Sequence, residues 1–114
     1  MEVCDIRMKI QHERSGVVFL FQDDLDFYAV PDVQEIVMAA IDRYPVGRIE
    51  LDLVQVDHVD SAGLWLIASL LKSSQASGRL SAVVAEGSQP QRILRQSMFD
   101  TLFPVKTVNP AMTS

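Results

Sequence analysis

Residues 51–64 read Leu51-Asp52-Leu53-Val54-Gln55-Val56-Asp57-His58-Val59-Asp60-Ser61-Ala62-Gly63-Leu64. Together with Ile49 just before them, Leu51 and Leu53 share one face of an alternating segment, which is the period of a half-buried strand. A short polar loop follows, and Asp60-Ser61 then opens a helix. Asp and Ser suit that place because their oxygens accept hydrogen bonds from the free N–H groups of a helix N-terminus. The stretch predicts a strand over 49–54 and a helix over 61–77, stopped by Gly78.

On the N-terminal side, Ile6, Met8 and Ile10 alternate with Arg7, Lys9 and Gln11, again a strand pattern. Glu13-Arg14-Ser15-Gly16 is a turn, and the β-branched and aromatic run 17–21 completes a hairpin. An acidic loop holds Asp23, Asp24 and Asp26. Pro31 fits the first turn of a helix, where its missing N–H costs nothing. Val33, Ile36, Val37, Ala40, Ile41 and Tyr44 then recur at steps of three and four, one apolar stripe on a helix over 31–44 that Pro45 and Gly47 end. On the C-terminal side a strand is expected over 80–85. Pro90 opens a third helix with Ile93, Leu94 and Met98 on its buried side, residues 99–104 connect, and a short strand spans 105–108.

The order β-β-α-β-α-β-α-β predicts an α/β fold, a mixed and mostly parallel sheet with helices packed against it. Residues 1–114 read as one domain with a core over about 6–108 and a short flexible C-terminal tail. In such sheets functional groups gather at the carboxyl ends of strands, where loops enter helix N-termini. Ser61 stands at such a place.

Apolar residues make up 48% and charged residues 22% of the 114, enough for a core and for solubility; the net charge is −5. That balance argues against nucleic-acid binding, which needs clustered Lys and Arg, and suits a basic protein partner. One cysteine, Cys4, cannot form an intrachain disulfide and points to a reducing, cytoplasmic setting. Residues 1–5 lack the basic and apolar regions of a signal peptide, and no run approaches the ~20 apolar residues of a membrane span.

Catalytic readings find little footing. A serine nucleophile needs a base and an orienting acid; His58 is the one nearby candidate, and no GxSxG elbow is present. His12, His58 and Cys4 make no metal-ligand pattern, and no glycine loop for phosphate occurs. No cofactor is implied. Ser61 itself has two readings: a helix cap worth about 1 kcal/mol, or a phosphoacceptor whose added −1.5 to −2 charge would meet unpaired N–H donors and the dipole of the helix while being repelled by Asp57 and Asp60. Trp65 lies four residues on, on the same helix face, and is either an interface anchor or tucked into the core.

Asp60-Ser61-Ala62-Gly63-Leu64 after the strand over 49–54 resembles the signature of the STAS domain family, the bacterial anti-sigma factor antagonists and the related domains of sulfate transporters. The resemblance covers about residues 6–108 and includes Leu25-Asp26 in the loop after the second strand, where the family usually has Gly-x-Leu-Asp. It implies a non-enzymatic signal-transduction module in transcription regulation. In the antagonist branch, an anti-sigma factor that is also a GHKL-type serine kinase phosphorylates the serine after the Asp, a PP2C-type phosphatase removes the phosphate, and the unphosphorylated form binds the anti-sigma factor. The resemblance implies Ser61 as phosphosite, with Asp60 and Asp26 flanking the partner surface; the reading of the residues adds Asp24, Asp57, Ala62, Gly63 and Trp65 as candidate partner-binding positions. Three departures stand out. Asp23 replaces the usual Gly, Trp65 sits at an often small position, and with the sequence closing on residues 110–114 the terminal helix common in the antagonists is expected to be missing. Two other branches keep the fold: a STAS subunit docked on the ATPase of an ABC-type lipid transporter, and a stressosome-type scaffold.

Overall fold

The computed structural model describes residues 2–4 (backbone only), 8–44, 46–73, 76 and 78–109. Its elements are β1 (Glu2–Cys4), β2 (Met8–Glu13), β3 (Gly16–Phe21), α1 (Val30–Arg43), β4 (Arg48–Asp52), α2 (Ser61–Lys72), β5 (Leu80–Ala85), α3 (Gln89–Gln96), a 3-10 turn (Phe99–Thr101) and β6 (Val105–Val108). The sheet runs β1-β2-β3-β4-β5-β6. The first two pairings are antiparallel and the last three parallel. This is the expected α/β architecture.

The alternation along the strands explains how the layers form. Ile10, Phe19, Leu51 and Ala82 lie side by side across four strands, and all are buried. The three parallel crossovers advance in one direction along the sheet, so their right-handedness places α1, α2 and α3 over this same face. Val33, Val37, Ala40 and Ile41 of α1 and Leu66, Ile67 and Leu70 of α2 close the core from above. The other face carries the row Lys9, Leu20, Asp52, Val83 and Lys106. It is only partly covered, with Leu20, Asp52 and Val83 half-buried.

Several expectations shift. Strand β1, paired antiparallel with β2, has no sequence expectation behind it; its three residues are too few to show a period. The expectations for Ile6 and Arg7, for Pro45, for the Cys4 thiol, for Ser77 and for the tail 110–114 fall outside the described residues. Helix α2 ends at Lys72, and Ser73 is already extended at φ −70°, ψ 129°. The sequence there runs Ser73-Ser74-Gln75, and serine hydroxyls compete for backbone groups and weaken a helix. Gly78 (φ +79°) sits in the turn before β5 instead. Met98 is 63% exposed rather than buried. Helix α3 stops at Gln96, and Met98 adopts a left-handed φ of 62°, which takes it off the helical stripe. Phe103, buried and in ring contact with Phe99, fills the core nearby.

Glu50 points from β4 to the less covered face. Burial, then Asp52 and Glu13, raise its carboxyl above the ordinary 4.5, while Arg48 and Lys106 pull the other way. A raised carboxyl means that the folded chain holds the proton more tightly than the unfolded chain. Ionisation therefore weakens the fold above the raised value, and the penalty vanishes as the pH falls below 4.5. Glu50→Gln is expected to raise the melting temperature at pH 7, and the gain is expected to disappear near pH 4; scanning calorimetry across that range reads it.

Candidate functional site: the start of helix α2 and the loops that hold it

Past the end of β4, residues 53–60 form a loop with an apolar underside. Leu53, Val56 and Val59 are buried at every third position and anchor it to the core. A second loop, 22–29, lies alongside. Leu25 and Val59 form a parallel bridge. The Leu25 N–H donates to the His58 carbonyl (3.1 Å), and the Asp60 N–H donates to the Leu25 carbonyl (3.2 Å). Asp24 Oδ1 accepts from the His58 N–H at 3.0 Å. From the far side, the Gln89 side-chain amide grips Val59 like a short strand: Oε1 accepts its N–H (2.8 Å) and Nε2 donates to its carbonyl (2.9 Å).

The helix cap is Asp60, not Ser61. Asp60 Oδ1 accepts from the N–H groups of Ala62 (2.8 Å) and Gly63 (3.2 Å). Its Oδ2 accepts from the Phe27 N–H at 3.1 Å. One carboxylate thus satisfies two orphan donors of the helix end and one of the neighbouring loop. Gly63 makes this approach possible. A Cβ placed there would stand 2.6 Å from the Leu25 carbonyl oxygen and 2.7 Å from Val59 Cγ1. Neither the backbone oxygen nor a buried valine can yield that space, so only glycine lets the first turn of α2 rest on Leu25.

Ser61 is the first residue of α2 and is exposed. Among the described residues its hydroxyl makes no hydrogen bond. The expectation that a phosphate on Ser61 would meet unpaired N–H donors narrows, because the Asp60 carboxylate already holds those of Ala62 and Gly63.

The other named residues divide in the same way. Asp26 Oδ1 accepts from the N–H groups of Tyr28 (3.0 Å) and Ala29 (2.9 Å), which turns the chain into α1. Asp24, Asp26 and Asp60 therefore spend carboxylate oxygens on the loops themselves, Ala62 is half-buried, and Gly63 is buried. Asp57 is exposed and carries no such bond among the described residues. Trp65 is 55% exposed, one turn beyond Ser61, and supplies the apolar part of the surface rather than the core. His58 is exposed. Among the described residues no cluster of His, Cys, Asp and Glu could hold a metal ion.

Two features went unread in the sequence. Gln89 carries no pattern that marks it. Phe27 and Tyr28, exposed at 73% and 86%, did carry one: they are adjacent aromatics between an acidic loop and a helix, off the apolar stripe.

The sheet order, the helix layer and the strapped loop pair define a single α/β domain of SpoIIAA-like fold. The chain belongs to the STAS domain family, which matches residues 7–110. Solved structures similar to it include two anti-sigma factor antagonists. An anti-sigma factor antagonist from Mycobacterium paratuberculosis shares 20% identity at a TM-score of 0.74, over 87% of this chain and 83% of that one. The anti-sigma factor antagonist SpoIIAA in its unphosphorylated form shares 17% identity at 0.70, over 92% and 90%. At these identities the likeness is one of fold. No helix among the described residues is long and apolar enough to cross a membrane.

The unequal roles of neighbours give a sharp expectation. Asp60→Ala removes a cap and strands the Phe27 N–H, and is expected to cost about 2 kcal/mol in urea unfolding. Ser61→Ala removes no bond and is expected to stay within about 0.5 kcal/mol of the parent.

Proposed function

We propose that this domain is a phosphorylation-switched protein-binding module of the anti-sigma factor antagonist type. The unphosphorylated chain binds an anti-sigma factor that is also a GHKL-type serine kinase, and so releases a sigma factor. Phosphorylation of Ser61 ends the binding, and a PP2C-type phosphatase restores it. The setting is the cytoplasm and the output is transcription.

The observation that carries this reading is the free, exposed hydroxyl of Ser61 beside a helix cap that Asp60 supplies by itself. A kinase reaches such a hydroxyl without breaking a bond the fold needs. The product adds about −1.5 to −2 charge. The Ala62 and Gly63 donors are already held by Asp60, so they neutralise little of that charge, and Asp57 and Asp60 repel it. The phosphate is therefore presented to the partner rather than absorbed by the domain. An interface packed closely around the Ser61 hydroxyl has no room for the bulk and charge of a phosphate. Fold similarity to proteins named as anti-sigma factor antagonists supports the same direction. Catalysis by Ser61 is disfavoured because no base within the described residues hydrogen-bonds its hydroxyl.

Titration with the purified kinase tests the switch. Ser61→Ala is expected to bind as the parent does, and Ser61→Asp and Ser61→Glu to bind at least about tenfold more weakly, the equivalent of 1.4 kcal/mol. Equal affinities for all would remove the switch and leave a docking domain. Trp65→Ala is expected to weaken binding while leaving the melting temperature within about 2 °C, since more than half of the residue is exposed. A large fall in melting temperature would return Trp65 to a packing role.

A further inference from the structure

We infer that Phe27 and Tyr28 form a rigid aromatic anchor that enters an apolar socket rimmed by Lys and Arg on the partner protein engaged at Ser61. The inference rests on Ser61 as a partner-binding site, but not on its phosphorylation.

Both side chains are exposed far beyond what folding explains: 73% for Phe27 and 86% for Tyr28. Neither belongs to the core or to the residues packed against it. A single exposed aromatic is ordinary. Two in succession, on a backbone with no freedom to hide them, are not. The Phe27 N–H is held by Asp60 Oδ2 and the Tyr28 N–H by Asp26 Oδ1. The Asp26 carbonyl accepts from Ala29 and Val30, and Leu25 is bonded on both sides to the α2 loop. The rings already meet edge to face, centroids 5.7 Å apart at 83°. Such a pair loses little conformational freedom on docking, the property that favours aromatic anchors at interfaces.

Position ties the pair to the site. The bond to Asp60 places the Phe27 backbone at the cap of α2, one residue before Ser61. Trp65 adds a third exposed aromatic from the same helix. Charge then selects the partner. Residues 22–42 and 53–71 contain no Lys or Arg, yet they hold Asp23, Asp24, Asp26, Asp32, Glu35, Asp42, Asp57 and Asp60. Apolar rings inside an acidic field fit a socket whose rim is cationic, where Arg or Lys can pair with the carboxylates and stack on the ring faces. A second copy of this chain presents the same acidic field and fits poorly.

Site-specific photo-crosslinking in the native cells tests this. A benzoyl-phenylalanine replaces Tyr28 in one full-length chain and Trp65 in another, and crosslinked peptides are mapped by mass spectrometry. Both positions are expected to capture one and the same protein, position 28 through an apolar peptide flanked by Lys or Arg. Against that purified protein, the Phe27→Ser/Tyr28→Ser chain is expected to lose about 30-fold or more in affinity with an unchanged melting temperature. Parent affinity is expected to fall as NaCl rises. Capture at position 65 alone, capture of a second copy at position 28, or double-variant affinity within about threefold of the parent would overturn the anchor and leave the Ser61 reading standing. A protein held at both positions, yet indifferent to Ser61→Asp, would keep the anchor and overturn the switch.

Discussion

The first turn of α2 lies against the backbone of Leu25, and most of the site depends on that contact. It exists because residue 63 has no side chain: a Cβ would fall 2.6 Å from the Leu25 carbonyl oxygen. With the helix this close, Asp60 reaches two donors of its own helix and one donor of the neighbouring loop. The Asp60 N–H closes the circuit on the Leu25 carbonyl. Loops of different strands become one rigid platform. Apolar residues beneath it, Leu25, Val56 and Val59, hold that platform to the core.

This division of labour separates structure from signal. Asp60 and Gly63 are committed to the fold, whereas Ser61, between them in sequence, projects a hydroxyl the fold does not use. Modification at such a position changes surface charge with little change in stability. The proposed switch works through the partner's tolerance of charge and needs no large rearrangement of the domain. Placement at the carboxyl ends of the strands follows from the topology, since each parallel strand feeds a helix whose N-terminus faces the same end.

Much of this was legible in the sequence. The stripe from Val33 to Ile41 is long and strictly periodic, and α1 matches its reading to within a residue. The alternation of Ile49 and Leu51 marked the buried face of β4, and Leu53 continues it just past the strand's end, which falls at Asp52 and not at Val54 as the sequence predicts. Weak elements were not legible: β1 is too short for a period, and the serine run after Lys72 ends α2 without a glycine. Met98 fits a helical stripe by spacing, but the helix stops before reaching it. At the site, Asp60-Ser61 announced a helix start, yet which of the two oxygens would cap it is a matter of three-dimensional reach. The tie to Phe27, 33 residues away, decided it for Asp60. Gln89 binds across 30 residues, where no local pattern carries information.

The most direct measurement is intact mass and phosphosite mapping of the chain purified from its native cells under several growth conditions. The account predicts a single added phosphate, located on Ser61 and lost in Ser61→Ala. A chain unmodified under every condition, or one phosphorylated elsewhere with Ser61 untouched, would contradict it.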